Sequence, residues 1–177
     1  MSHDARRTEI AAKGLAAIRP AKPKDLAAIW ELMRGLAVYE KLEEHFTGTP
    51  ELLAAHLFGD ASPRLESLVA EANGRLVGYA IVYQVFSTFW TKPMMWLEDL
   101  FVDPSHRGAG TGRELLRAVA RLAVAKGCKR LDWAVLDWNE PAIGFYEKQG
   151  AVRAGGWHTY RFEPGALEAF ADIPPGA

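Results

Sequence analysis

A mixed α/β layer structure is what this sequence predicts, from three observations. Asn73-Gly74 divides two strand-like stretches, and that dipeptide accepts the positive φ angles of a tight hairpin turn. Two segments carry apolar residues at helical spacing: Leu26, Ile29, Leu32, Met33 and Leu36 in one, and Leu115, Leu116, Val119, Leu122 and Ala123 in the other. Strand-like and helix-like stretches alternate through the second half, the pattern of helices packed on a sheet.

In chain order, Ala17-Ile18-Arg19 reads as a short strand closed by Pro20, and Lys24-Asp25 opens the first helix. Thr49-Pro50-Glu51 signals a second helix, with Thr49 as N-cap and Gly59 ending it. Leu65 to Ala72 and Leu76 to Phe86 are the hairpin strands. Met94 to Val102 (MMWLEDLFV) has strand length and bulk, and Gly110 to Lys126 is a helix stopped at Gly127. Arg130 to Leu136 reads as a strand, Pro141 to Gln149 as a short helix, and Trp157 to Phe162 as a last strand before a small terminal helix.

The 177 residues are 49% hydrophobic and 24% charged, enough to bury one continuous core. One domain is expected over residues 17–177, after a flexible polar lead-in over 1–16 that is clearest from Met1 to Lys13. With 21 basic and 22 acidic residues, bulk charge favours neither nucleic acid nor an anionic membrane as partner. The single cysteine, Cys128, excludes an intramolecular disulfide framework and a multi-Cys zinc site, reads as a small buried hydrophobe, and fits a reducing cytoplasm. The opening residues lack the apolar core of a signal peptide, and no stretch approaches the ~18 apolar residues of a membrane span. A cytoplasmic, soluble protein is the expectation.

Gly108, Gly110 and Gly112 alternate between a hydrophobic strand and an amphipathic helix, where backbone N–H groups and the positive helix end converge on an anion. Arg107 adds a charge whose planar fork suits phosphate oxygens. A P-loop is rejected, because Arg113 and Glu114 stand where lysine and a hydroxyl belong. A dinucleotide fingerprint would find its acid in Asp132, about 20 residues on, but its third glycine would fall on Arg113. What remains is R-x-x-G-x-G, Arg107-Gly108-Ala109-Gly110-Thr111-Gly112, which taken alone suits a flexible turn equally well.

Strict alternation along the strand puts Met94, Trp96, Glu98, Leu100 and Val102 on one face, so Glu98 is expected among apolar neighbours, poorly solvated, with a raised pKa suited to accepting a proton. A carboxylate paired with a nearby cation is the alternative. Asn139 to Tyr146 (NEPAIGFY) leaves a strand and enters a helix at Pro141. Tyr146 can donate a proton to a leaving thiolate, although packing its ring is the commoner fate of a helical tyrosine.

Together, LEDLFVDPSHRGAGTGRELL and VLDWNEPAIGFYEKQGA resemble the cofactor half of the diamine (spermidine/spermine) N-acetyltransferase group of the GNAT superfamily. The similarity runs from about Ile18 to Phe170 and takes in Leu36-Ala37-Val38-Tyr39-Glu40. LDWNEPA with GWHTYRFE resembles the thialysine-acetylating branch more closely. The resemblance implies a single GNAT domain with a central, mostly antiparallel twisted sheet flanked by helices, acetyl-CoA as co-substrate, and no metal. It implies direct attack of a small-molecule primary amine in a ternary complex, and a homodimer. It gives Tyr146 the place of general acid and Glu98 that of water-mediated base. Leu100, Phe101 and Val102 would run beside the pantetheine arm, with main-chain groups of Leu100 and Val102 offered to it. Arg107, Gly108, Ala109, Gly110, Thr111, Gly112 and Arg113 would cradle the pyrophosphate, and Asn139, Pro141 and Ala142 would contact the cofactor near the thioester.

The acceptor groove of the family maps to Tyr39, Glu40, Glu43 and Glu44, with His45 beside them, and to Trp90 and Glu98; the charge run equally suits a solvated helix face. Thr88 stands where the polyamine branch has an acid, which favours a thialysine-like amino acid over a polyamine. Two rival readings are acetylation of a protein or peptide amine and a non-catalytic acyl-CoA-binding module. The module would not need both Glu98 and Tyr146, and the acids near Glu40 favour a small cation over a peptide.

Overall fold

The computed structural model describes residues 16–172. Its strands are β1 (Ala17–Pro20), β2 (Glu66–Ala72), β3 (Arg75–Ser87), β4 (Lys92–Val102) and β5 (Leu131–Asp132). Its helices are α1 (Leu26–Glu40), α2 (Pro50–Phe58), α3 (Thr111–Ala125), α4 (Glu140–Lys148) and α5 (Pro164–Ala171). Apart from Ala16, the expected lead-in over residues 1–16 lies outside the described residues. The chain divides into two compact units, one up to Leu136 and one from Asp137 onward.

In the first unit the sheet runs β1-β2-β3-β4-β5, antiparallel up to β4 and parallel between β4 and β5. The mostly antiparallel sheet flanked by helices is therefore as expected. Asn73 and Gly74 take φ of 52° and 74°, the double positive turn that matches the twist of the β2–β3 hairpin. On one face Ile29 and Leu32 of α1 and Leu53 and Leu57 of α2 pack against Val69, Tyr79, Ile81 and Phe101. On the other, Leu115 of α3 lies against Gly78, where an added Cβ would stand 3.3 Å from Leu115 Cδ1. Leu115 and Val119 are fully buried, each contributing roughly 1.5–3 kcal/mol by the usual area relation.

Local chemistry sets the ends of the helices. Thr49 Oγ1 accepts from Leu52 N at 3.3 Å, so Thr49 caps α2. Asp25 precedes α1 without capping it; its buried carboxylate takes both Arg19 guanidinium nitrogens at 2.7 and 3.0 Å and the Lys22 N–H at 2.8 Å. Arg19 also holds Glu71 at 2.7 Å, so one guanidinium ties β1 to β2 and to the entry of α1.

Two expected strands differ. Arg130 to Leu136 forms a ladder only at Met95–Leu131 and Trp96–Asp132, because an extra residue in β4 just beyond that point turns the strand aside. Trp157 to Phe162 joins no sheet. Trp157 and Tyr160 are 83% and 90% exposed, and aromatic residues without a buried face or a partner edge do not make a strand.

Candidate active site

The loop after β4 ends at an uncapped helix. Asp103 closes the first turn, its Oδ1 accepting the Ser105 N–H at 2.8 Å, and Gly108 and Gly110 follow at φ 85° and 90°, where side-chain-bearing residues are strained. Gly110 is the N-cap of α3 and, having no side chain, makes no side-chain bond to the first N–H groups. Those donors and the positive end of a 15-residue helix are open to an anion. Gly112 lies inside the first turn of α3, so the third glycine serves the helix rather than the loop.

Leading to this loop, β4 has a free side. Asp103 N bonds to Val77 O, and antiparallel alternation from that pair turns Phe101 and Asp99 toward β3 and Leu100 and Val102 away from it. The ladder to β5 ends at Trp96–Asp132. The main-chain groups of Leu100 and the N–H of Val102 thus have no ladder partner among the described residues, while the Val102 carbonyl accepts from Arg107 Nε at 2.9 Å; an edge of this kind can receive an extended, amide-bearing chain as an added strand.

A bulge changes which carboxylate faces the core. Ile81 pairs with Asp99 and Val82 with Leu97, leaving Glu98 as the extra residue of β4. The alternation expected across Met94 to Val102 therefore breaks at Glu98, and Asp99 and Phe101 join Met94 and Trp96 on the face of Tyr79. Glu98 is exposed, correcting the expectation of a poorly solvated group. Its Oε2 accepts from the Trp96 indole N–H at 2.9 Å. Beside it, burial first and the charge of Glu98 second push the Tyr83 phenol upward.

Asp99 is the perturbed acid. The fully buried Tyr79 donates its hydroxyl to Asp99 Oδ2 at 3.0 Å. Burial pushes the Asp99 carboxyl up to about 6, with repulsion from Glu98 and Glu40 adding to it and the Tyr79 bond opposing it. Glu40, in the last turn of α1, is itself raised by burial. Asp99 thus feels the charge of both Glu98 and Glu40. Sequence reasoning missed Asp99 because period-two alternation assigned it to the opposite face from Glu98; its signal was the adjacent Glu-Asp pair within an apolar strand.

The remaining acceptor residues fall into two groups. Tyr39 lies under Arg107, whose guanidinium carbon is 4.6 Å from the ring centre. Glu43 and Glu44 stand exposed in the short turn after α1. Trp90 is at the tip of the β3–β4 hairpin with Arg130 at 4.9 Å from its ring centre, eight residues before Glu98. A cavity of about 690 Å³ lies between Leu57, Ser67, Tyr83 and Lys126 and is lined by none of the expected site residues.

In the second unit, buried Asn139 caps α4, its Oδ1 accepting from Ala142 N at 3.3 Å, with Pro141 in the first turn. Tyr146 is half-buried on α4, with its ring centre 5.1 Å from that of Phe145.

Residues 27–151 match the acetyltransferase (GNAT) family. A thialysine N-epsilon-acetyltransferase of Sus scrofa is 41% identical over 165 residues, covering 87% of this chain and 96% of that protein. An L-ornithine N5-acetyltransferase of Arabidopsis thaliana is 30% identical, covering 86% of each. Among solved structures, an integron cassette protein of V. cholerae has a TM-score of 0.76 at 24% identity, covering 90% of this chain and 99% of that one, a likeness of fold. The chain belongs to the acetyltransferase (GNAT) family, in the group of the thialysine and diamine acetyltransferases, and is an enzyme that transfers acetyl to an amine.

Proposed function

We propose that the enzyme transfers acetyl from acetyl-CoA to the side-chain amine of a small amino acid of the thialysine type. One observation carries this reading: the free edge of β4 leads on one side to the uncapped start of α3 and on the other to the carboxylates Glu98 and Asp99. An acyl-CoA needs the first two features, a strand edge for the amides of its pantetheine arm and a helix N-terminus for its pyrophosphate. An alkylammonium acceptor needs the third.

In the reaction the ammonium must first lose a proton. Glu98, exposed and held by the Trp96 indole, takes it through a water, while Asp99 and Glu40 favour the cation's approach. The free amine attacks the thioester carbonyl, a carbon–nitrogen bond forms, and the carbon–sulfur bond breaks. Tyr146 protonates the departing thiolate and its phenolate takes the surplus proton from the newly acylated nitrogen, so the products are the acetamide and the free thiol of CoA. Binding both substrates together supplies the proximity that makes attack effectively unimolecular.

An amino-acid acceptor is favoured by Thr88, which places no acid near Trp90 for a second ammonium, and by relatives named for thialysine and ornithine. A thiol-release assay with acetyl-CoA against thialysine, ornithine, lysine, spermidine and short peptides tests the reading. Turnover is expected with the amino acids first, and no release with any primary amine would sink it. Tyr146→Phe is expected to lower kcat by about 10²-fold or more with acetyl-CoA affinity intact; unchanged turnover would remove Tyr146 from the mechanism.

A further inference from the structure

Arg107 opens the glycine loop, yet its side chain reaches back to the sheet and to α1. Its guanidinium carbon lies 4.6 Å from the centre of the Tyr39 ring and 5.4 Å from that of Phe101. Its Nε donates to the Val102 carbonyl at 2.9 Å. Tyr39 belongs to the last turn of α1, beside Glu40, and Phe101 is a buried core residue. One planar cation thus joins the first residue of the loop to the end of β4 and to the helix that carries the expected acceptor residues.

We propose that Arg107 is a positioning residue: its stack on Tyr39 holds the glycine loop in the anion-binding shape, so that affinity for the CoA pyrophosphate depends on a ring on α1. The inference rests on the acetyl-CoA reading of the loop. Its physical basis is the looseness of the segment it anchors. Gly108 and Gly110, at φ 85° and 90°, restrict the backbone least of all residues, and a loop ordered before binding spares the ligand that entropic cost. A guanidinium satisfies the geometry because it stacks on a ring face while its Nε–H bonds in plane to a carbonyl; an ammonium cannot do both. If Arg107 acted only through its charge on phosphate, changes at Tyr39 that leave Arg107 intact would not affect the cofactor.

Calorimetric titration of CoA, with no amine present, separates these alternatives. Tyr39→Leu, which keeps apolar bulk and removes the ring, is expected to weaken CoA binding by about three- to tenfold, the range of a partly exposed cation–π contact. Tyr39→Phe restores the ring and should stay within about twofold of the unmodified protein. Arg107→Lys should weaken binding, and adding Tyr39→Leu to it should cost little more, because the two changes remove one interaction. A ligand-free readout runs beside this: the Arg107 Nε–H signal in nitrogen-15 NMR, assigned by its loss in Arg107→Lys, should move in Tyr39→Leu and hold in Tyr39→Phe. Unchanged CoA affinity in Tyr39→Leu, additive losses in the double variant, or an Nε–H signal indifferent to Tyr39 would each overturn the coupling. If the unmodified protein bound no CoA while the signal still responded to Tyr39, the acetyl-CoA reading would fail and take the coupling with it, which distinguishes the two failures.

Discussion

Replacing Tyr79 by phenylalanine removes one oxygen from a fully buried side chain and leaves the ring in place, so packing is preserved and the bond to Asp99 is lost. The bond matters most when Asp99 is ionised. A hydrogen bond to a charged acceptor contributes about 1.5–3 kcal/mol and one to a neutral acceptor about 0.5–1.5 kcal/mol. The difference, about 1–1.5 kcal/mol, corresponds to about one pKa unit, so Asp99 should move from about 6 to roughly 7 in Tyr79→Phe. Because the folded pKa lies above the unfolded value of 3.8, ionisation opposes folding. The unmodified protein loses this part of its stability as pH rises from about 4 to 6, and the variant goes on losing it to roughly pH 7. Urea unfolding at pH 5 and pH 8 should therefore show a deficit for the variant that is about 1–1.5 kcal/mol larger at pH 8. An equal deficit at the two pH values would show that the Tyr79 hydroxyl does not support the ionised carboxylate, and the account of Asp99 would be wrong.

Other consequences concern the loop and the entry of α1. Gly110→Ala meets no neighbouring atom within 4 Å, so its cost comes from φ 90° alone; a loss of about 1–2 kcal/mol in unfolding free energy is expected, together with weaker CoA binding by calorimetry, and full stability with unaltered affinity would contradict the loop geometry. Asp25, held at about 2 by the Arg19 guanidinium first and the Lys22 N–H after it, contributes stability that is complete above about pH 4 and lost as pH falls through 2. Asp25→Asn should accordingly destabilise the protein by roughly 1–2 kcal/mol at pH 7 and by much less near pH 2, read from thermal melting; a loss independent of pH would refute the ion pair's role. Thr49→Ala should lower unfolding free energy by about 0.5–2 kcal/mol through the lost α2 cap while leaving KM values unaltered.

Much of the fold was legible because the signals are local. Thr49, Asn73-Gly74 and Gly127 mark element ends through their own φ angles or side-chain bonds, and helical spacing marks the buried stripe of α3. The glycine loop was legible for the same reason, since an uncapped helix start after a strand is written in consecutive residues. The segment Trp157 to Phe162 is rich in aromatic residues, which suits a strand locally, while strand formation requires a partner edge and a buried face that no local pattern supplies.

By itself, then, the sequence determined the kind of element at each place along the first unit, the glycine loop that enters α3, and the family to which these belong. Tertiary structure alone decided which carboxylate faces the core and where Arg107 points. A bulge at Glu98 costs one unpaired residue and leaves no mark in the pattern of apolar side chains, yet it reverses the facing of everything before it relative to everything after it. Asp99 acquires its raised pKa first from burial, with repulsion from Glu98 beside it and Glu40 on α1 adding to it and the bond from Tyr79 on β3 opposing it, and Arg107 its ring from α1. These neighbours are distant in the chain, and only packing brings them into range of interactions that act over a few ångströms.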